Sequence, residues 1–228
     1  PALEADEVKG LLGELLGEPE RLERFLKEKE IDFAYMATKG DRFRGNAYFQ
    51  QSKIAIALRH IPNGIRTLEE LKLPPILEDF THRQQGFFLV VGPVGHGKST
   101  TLAAMIDLIN HTRTEHIITI EDPIEYIYES DKAIVDQREI NFDTKDFPTA
   151  LRSLFREDVD VALIGEMRGP ETIQTAVTAA ETGHLVLSTL HTNSAAQTID
   201  RIIDAFPSGQ QDQIRVQLSG SLIGIFSQ

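Results

Sequence analysis

Residues 92–101, GPVGHGKSTT, have the types and spacing of a phosphate-binding loop. They fit the pattern G-x-x-x-x-G-K-[ST], between the apolar run FFLVV and a helical pattern that begins TLAAMIDLI. Glycines let backbone N–H groups turn toward a phosphate, and the following helix N-terminus adds partial positive charge. The lysine of such a loop reaches the β and γ phosphates, and the next hydroxyl ligates Mg²⁺. The pattern therefore predicts a site for ATP and Mg²⁺ rather than a glycine-rich turn without a ligand. The predicted nucleotide-binding residues are Gly92, Gly95, Gly97, Lys98, Ser99 and Thr100.

Two groups of carboxylates follow apolar runs that read as strands. HIITI leads into Glu121, Asp122 and Glu125, and VALIG leads into Glu166. Phosphoryl transfer needs a group that positions the nucleophile and charges around the γ-phosphate. A strand that ends in a carboxylate is also typical of a Mg²⁺ site in which water lies between the metal and the protein, so Ser99 and Glu166 are the predicted metal ligands. The alternative is that these acids lie in loops or cap helices.

Two histidines lie at the ends of the run HLVLSTLH. His184 and His191 are an odd number of residues apart, so a regular strand would direct them to opposite faces, which argues against a shared metal. His191 could instead hydrogen-bond a γ-phosphate, or it could be structural.

Strand and helix patterns alternate in the second part of the chain. After FFLVV and the loop helix come HIITI, AIVDQ, a helix from about Asp146 to Arg156, VALIG, a helix from Glu171 to Glu181, and HLVLSTLH. This alternation favours an α/β fold whose largely parallel sheet is covered on both faces. Ligands bind such sheets at the carboxyl ends of the strands, where the polar clusters lie.

The first part of the chain has a different pattern. Residues 4–29 predict two amphipathic helices broken near Gly17 to Pro19. Their predicted apolar face consists of Val8, Leu11, Leu12, Leu15 and Leu16. Three strand patterns follow, so we expect a small α+β domain over residues 1–64, a linker over 65–75 and the α/β domain over 76–228.

Composition limits the classes of function. The 228 residues are 41% hydrophobic, contain no cysteine and carry a formal charge of −12. No apolar run is long enough to span a membrane and no export signal is visible, so we expect a soluble, cytoplasmic protein. The absence of cysteine excludes thiolate metal sites. The acidic balance disfavours a broad nucleic-acid surface, and we expect no nucleic-acid partner.

The motifs together resemble a known family. GPVGHGKSTTLAAMIDLIN, IITIEDPIEYI, VDQREI, ALRSLFRED and the long stretch from IGEMRGPETIQ to DRIIDAFP are similar to the PilT family of type IV pilus retraction ATPases. The resemblance covers nearly the whole chain. It implies a PAS-like N-terminal domain, a RecA-like P-loop ATPase domain and a homo-hexamer that drives pilus retraction in twitching motility. It also implies peripheral association with membrane machinery at the cytoplasmic face of the inner membrane, where the partner is the type IV pilus platform protein.

The resemblance further implies roles in the ATPase domain. The family's Asp box falls on Glu121 to Glu125, with Glu125 as the catalytic glutamate. Its Walker B glutamate falls on Glu166, and its His box spans His184 to His191. The family continues past Gln228 into further helices, so a longer ATPase domain is implied.

The N-terminal domain of the family also supplies arginines to the nucleotide. Arg44 and Arg59 match these arginines, and Arg42 is a weaker candidate. An arginine supplied in this way stabilises transition-state charge and makes hydrolysis depend on domain position. The alternative is that Arg44 and Arg59 are ordinary exposed strand residues. His96 stands where the family usually has a small serine.

Other functions remain as alternatives. Pilus-assembly and type II secretion ATPases share the nucleotide motifs, but they typically carry a four-cysteine zinc site, and this chain has no cysteine. A nucleotide-binding switch with little hydrolysis would not need Glu125, Glu166 and His191 together. A RecA-like DNA translocase is disfavoured by the formal charge of −12.

Overall fold

The computed structural model describes residues 4–38, 40–61, 64–167 and 169–228. The chain divides into two compact units, Pro1–Gly64 and Ile65–Gln228, and each is described by itself. No helix of the described residues is long and apolar enough to cross a membrane.

The first unit contains two helices and a three-stranded antiparallel sheet. The helices are α1 (Ala5–Leu16) and α2 (Pro19–Glu28), and the strands are β1 (Glu30–Met36), β2 (Arg42–Gln50) and β3 (Lys53–Ile61), in the order β1-β2-β3. The predicted break between the helices is confirmed. Pro19 occupies the first turn of α2, where its missing N–H donor costs nothing.

One face of this sheet carries the core of the first unit. Leu12, Leu15 and Leu16 of α1 are buried against Phe33 of β1. Leu11 was predicted to share this apolar face, but 41% of its surface is exposed, so that part of the prediction is wrong. Its position lies about 100° around the helix from Leu12, at the edge of the apolar stripe.

The second unit is a six-stranded sheet with helices on both faces. In chain order its elements are α3 (Ile76–Thr81), β4 (Gly86–Val91), α4 (Lys98–Thr112), β5 (His116–Glu121), β6 (Ile134–Glu139), α5 (Phe147–Leu154), β7 (Val161–Ile164), α6 (Pro170–Glu181), β8 (Leu185–Leu190), α7 (Ala195–Asp204), a short 3-10 turn (Ser208–Gln210), α8 (Gln211–Ser221) and β9 (Leu222–Ser227). The strand order is β6-β5-β7-β8-β4-β9, and the pairings are parallel. The predicted α/β class is confirmed.

Strand β4 shows why its sequence is a continuous apolar run. Phe87, Leu89 and Val91 pack into a cluster with α5 to α8, while Phe88 and Val90 pack into the cluster that contains α3 and α4. Burial on both faces is typical of central parallel strands. Because β5, β7, β8 and β4 are neighbours, their carboxyl ends lie along one edge of the sheet.

Residues 65–75, the predicted linker, contain turns rather than a helix or strand. Ile65, Leu68 and Leu73 nevertheless pack against the α3 and α4 side of the second core. Helices α3, α7 and α8 and strand β9 were not predicted from the sequence patterns.

Candidate nucleotide-binding site

The phosphate-binding loop joins the carboxyl end of β4 to the N-terminus of α4. Gly95 and Gly97 have φ values of 81° and 85°, in the left-handed region that glycine adopts without strain. A Cβ atom added to Gly92 would collide with the backbone carbonyl oxygen of Gln228, which follows β9. The glycines thus allow both the turn and its close packing against the last strand, and α4 begins at Lys98 with its N-terminus at the loop.

Lys98 is buried beneath this loop. Its Nζ donates to the carbonyl oxygen of Pro93 at 3.0 Å and lies 3.3 Å from Nδ1 of His191. Burial lowers the pKa of Lys98, and the negative charges of Glu166 and Glu125 oppose that shift. Because both glutamates raise the pKa of this amine, the predicted catalytic carboxylates and Lys98 belong to the same candidate site.

His191 connects Lys98 to Glu166. Because a lysine ammonium can only donate, Nδ1 of His191 must accept, and a neutral imidazole then carries its proton on Nε2. Nε2 lies 3.3 Å from Oε1 of Glu166, within the distance of an ion pair. The structure therefore brings together three residues that are far apart in the sequence: Lys98 begins α4, Glu166 follows β7 and His191 follows β8.

His184 lies at the other end of β8. Its Nδ1 is 2.9 Å from the carbonyl oxygen of Ala179, and its ring packs edge-on against Phe155. Within the described residues it has these structural contacts with α6 and the segment after α5, and it is not part of the cluster around Lys98.

The predicted Asp box forms the loop that follows β5. Glu121 is buried, and its carboxylate accepts from Thr119 Oγ1 at 2.7 Å and from the backbone N–H of Glu125 at 3.3 Å. Glu125 itself is exposed. The two carboxylates therefore differ in environment: Glu121 holds the backbone, while the side chain of Glu125 faces solvent.

Burial raises the pKa of Glu121 to about 7, against the lowering effect of its hydrogen bonds from Thr119, the Glu125 backbone and Gln137. The carboxyl of the folded protein therefore keeps its proton to a higher pH than that of the unfolded chain. The contribution of this carboxyl to the free energy of unfolding therefore falls as the pH rises from 4.5 toward 7, because its folded form binds more protons than its unfolded form in that window.

Replacing Glu121 with glutamine is expected to flatten this pH dependence. In the wild type, titration of this carboxyl should lower the free energy of unfolding by about 3 kcal/mol across that window. The neutral amide of glutamine has no proton to release, so it should not contribute to the slope. Denaturant unfolding at a series of pH values measures the slope. The exposed Glu129, changed in the same way, is the control and should keep the wild-type slope. An unchanged slope in Glu121→Gln would reject the assignment.

Several residues of the site were not predicted. Tyr126 OH lies 2.9 Å from Thr100 Oγ1 at the start of α4, and Gln137 of β6 bonds the backbone of the loop that follows β5. Asn110 near the end of α4 donates to the carbonyl oxygen of Glu129 at 2.7 Å. No spacing rule marks these residues, because their contacts depend on how the loop packs between α4 and β6.

A metal ion would need ligands beyond the protein. Among the residues that the structure describes, no group of three His, Asp or Glu side chains could hold a metal ion. Ser99 is exposed in the first turn of α4, and Glu166 lies at the end of β7 near Lys98. One hydroxyl and one carboxylate suit Mg²⁺, which commonly keeps several waters and binds phosphate oxygens.

Arg44 and Arg59 belong to the first unit. They are directly opposite each other on β2 and β3, where like charges destabilise the pair. Neither forms an ion pair within the part of the chain that the structure describes. Their predicted action on the nucleotide stays a prediction.

Comparison with known proteins gives consistent matches. The family model described as "Type II/IV secretion system protein" matches residues 54–228. The type IV pilus retractation ATPase PilT of Pseudomonas aeruginosa is 47% identical over 230 residues, which cover 100% of this chain and 66% of that protein. A twitching motility protein of Neisseria gonorrhoeae is 47% identical over 228 residues, which cover 100% of this chain and 61% of that protein.

The fold is also similar to a solved structure. A crystal structure of the pilus retraction motor PilT with bound ADP has a TM-score of 0.91 and 48% sequence identity, and the match covers 95% of this chain and 63% of that one. The chain thus spans between 61% and 66% of the length of these relatives.

Proposed function

The chain belongs to the type II/IV secretion system protein family, and we propose that it is the nucleotide-binding part of a hexameric ATPase that drives type IV pilus retraction. The observation that carries this proposal is the convergence of Lys98, His191 and Glu166 at the phosphate-binding loop. The negative charge of Glu125 also raises the pKa of Lys98, against the effect of burial. The similarity to PilT supports retraction as the process that hydrolysis drives.

We assign each residue a task in ATP hydrolysis. The loop glycines and the N-terminus of α4 cradle the β and γ phosphates, and Lys98 supplies positive charge to them. Glu125, which is exposed beside the site, positions and activates the attacking water. When ATP binds, His191 exchanges its contact with Glu166 for a hydrogen bond from its ring N–H to the γ-phosphate, so that the position of Glu166 depends on the nucleotide.

Ser99 and Glu166 would hold Mg²⁺, with Glu166 acting partly through water. The metal would neutralise charge on the phosphates when bound. His191 lies between Lys98 and Glu166, 3.3 Å from each, so this carboxylate is close to the phosphate-binding loop. Removing Mg²⁺ with a chelator is expected to abolish hydrolysis.

The N-terminal unit would complete the site with Arg44 and Arg59. Arg44 and Arg59 lie opposite each other on neighbouring strands and have no acidic partner among the described residues. Binding an anion such as a nucleotide phosphate would reduce the repulsion between their charges. In this proposal six subunits form a ring, and hydrolysis depends on the arginines of the N-terminal unit. The ring acts on the type IV pilus platform protein at the cytoplasmic face of the inner membrane.

Replacing Arg59 or Arg44 with alanine is expected to lower kcat about tenfold, the size expected for losing a hydrogen bond to a charged group. Steady-state kinetics of the ring measures this effect. Arg24→Ala is the matched control, because Arg24 lies in the same unit and pairs with Glu28 at 2.8 Å on an exposed helix surface. Wild-type kcat in both test variants would contradict the proposed role.

The function is tested with the full-length protein that contains this chain. We expect Mg²⁺-dependent ATP hydrolysis in samples whose size, measured with and without nucleotide, corresponds to a hexamer. ATP binding without turnover would favour the nucleotide-switch alternative. In cells, a deletion strain that assembles pili but cannot retract them would support retraction, whereas a strain without pili would indicate an assembly ATPase.

A further inference from the structure

Residues 122–133 form the irregular segment between β5 and β6, which we call the Asp-box loop. Backbone N–H and C=O groups need hydrogen-bond partners, and the backbone of this loop does not find them in a helix or a sheet of its own. Long irregular loops inside a compact domain are commonly functional. The side chains that satisfy this backbone therefore decide where the loop, and Glu125 within it, is held.

Gln137 of β6 holds the loop just after Glu125. Its Nε2 donates to the carbonyl oxygen of Tyr126 at 2.7 Å, and its Oε1 accepts from the N–H of Tyr128 at 2.9 Å. Nε2 also lies 3.5 Å from Oε1 of the buried Glu121. One amide thus takes the place of a neighbouring strand, because it pairs with a backbone acceptor and a backbone donor two residues apart.

Other contacts hold the loop at residues 124–126. Glu121 accepts from the N–H of Glu125, and Oε2 of Glu139 accepts from the N–H of Ile124 at 3.1 Å. The hydroxyl pair of Tyr126 and Thr100, 2.9 Å apart, ties the same segment to the first turn of α4. Glu125 therefore lies between backbone positions that are held by named side chains.

We propose that Gln137 is a positioning residue, which sets the distance between the Glu125 carboxylate and the phosphate-binding loop. Gln137 does not need to touch nucleotide, because it acts through the backbone of residues 126–128. This inference rests on the proposed function, in which Glu125 positions the attacking water. Misplacing a catalytic group by a fraction of an ångström lowers turnover more than it lowers binding of ATP.

The test compares two substitutions with a matched control. Gln137→Leu keeps side-chain volume but loses both hydrogen bonds to the loop. Gln217→Leu is the control, because Gln217 is also half-buried, accepts from Gln174 at 3.0 Å and donates to Glu181 at 2.7 Å, all on α6 and α8. We expect kcat to fall about tenfold in Gln137→Leu, with ATP affinity within about threefold of wild type, and to stay at the wild-type value in Gln217→Leu.

Gln137→Glu provides a readout that a purely structural role would not change. Its ionised carboxylate can accept from Tyr128 but cannot donate to the Tyr126 carbonyl, whereas its protonated form can do both. We therefore expect the kcat of this variant, relative to wild type at the same pH, to recover as the pH is lowered. The ratio for Gln137→Leu should not change with pH.

The outcomes separate this inference from the function on which it rests. Wild-type kcat in Gln137→Leu, together with a loss of activity in Glu125→Gln, would overturn the positioning role and leave the ATPase intact. Equal losses of kcat and ATP affinity in Gln137→Leu would also overturn it, because they indicate general damage to the site. A full-length wild type without hydrolysis would overturn both proposals.

Discussion

Replacing Lys98 with alanine is expected to weaken nucleotide binding at least about 100-fold. The Lys98 amine is buried under the phosphate-binding loop, and its electrostatic neighbours are Glu166 and Glu125. Without a cation, these carboxylates would repel the nucleotide phosphates. Hydrogen bonds to charged groups contribute roughly 1.5–3 kcal/mol each, and the lysine is proposed to contact two phosphates. Titration with a fluorescent ATP analogue measures the affinity directly.

Lys132→Ala is the matched control for this substitution. It removes the same charge from an exposed position in the Asp-box loop, so it should leave affinity within about twofold of wild type, as expected when exposed charges are screened. Unfolding measurements on both variants separate lost binding from lost folding. Full nucleotide affinity in a folded Lys98→Ala protein would contradict the phosphate-binding interpretation of residues 92–99.

The phosphate-binding loop could be predicted because its determinants are local. Gly97, Lys98 and Ser99 are adjacent in the sequence, and the flanking strand and helix have strong apolar patterns. The carboxylates could be predicted for a related reason, since parallel strands that end at one edge of a sheet bring their following residues together. The structure adds the 3.3 Å distances that join Lys98, His191 and Glu166.

The residues that hold the Asp-box loop could not be predicted in this way. Gln137 and Asn110 lie on elements that read as an ordinary strand and helix, and their amides bond backbone groups several residues away in the loop. Polar side chains at half-buried positions are common, so residue type alone does not identify them. Their role follows only from the three-dimensional path of residues 122–133.

Strand β9 and helix α1 show the same limit. Strand β9 has the apolar sequence LIGIF, yet its place beside β4 depends on pairing with a strand more than 130 residues earlier. The exposed position of Leu11 depends on which side of α1 the sheet covers. Periodicity specifies that a helix has an apolar face, and packing decides where that face ends.

Replacing Glu125 with glutamine is expected to lower kcat by roughly 10² or more while ATP remains bound. General acid–base groups contribute about 10²- to 10⁴-fold, and the amide cannot accept a proton from the attacking water. The substitution keeps side-chain shape, and the backbone N–H of Glu125 can still donate to Glu121. Steady-state hydrolysis and ATP affinity should be measured on the same samples, with the oligomer size recorded.

The choice of Glu125 over Glu121 follows from their surroundings. Glu121 is buried and its oxygens accept from Thr119 and the loop backbone, so it has a structural task and little access to water. Glu129→Gln is the control for Glu125→Gln, because it removes the same charge from another exposed position of the same loop. A tenfold or larger loss in Glu129→Gln, or unchanged turnover in Glu125→Gln, would reject Glu125 as the group that activates water. Loss confined to Glu125→Gln, with ATP still bound, would establish that this exposed carboxylate acts on the chemical step rather than on binding.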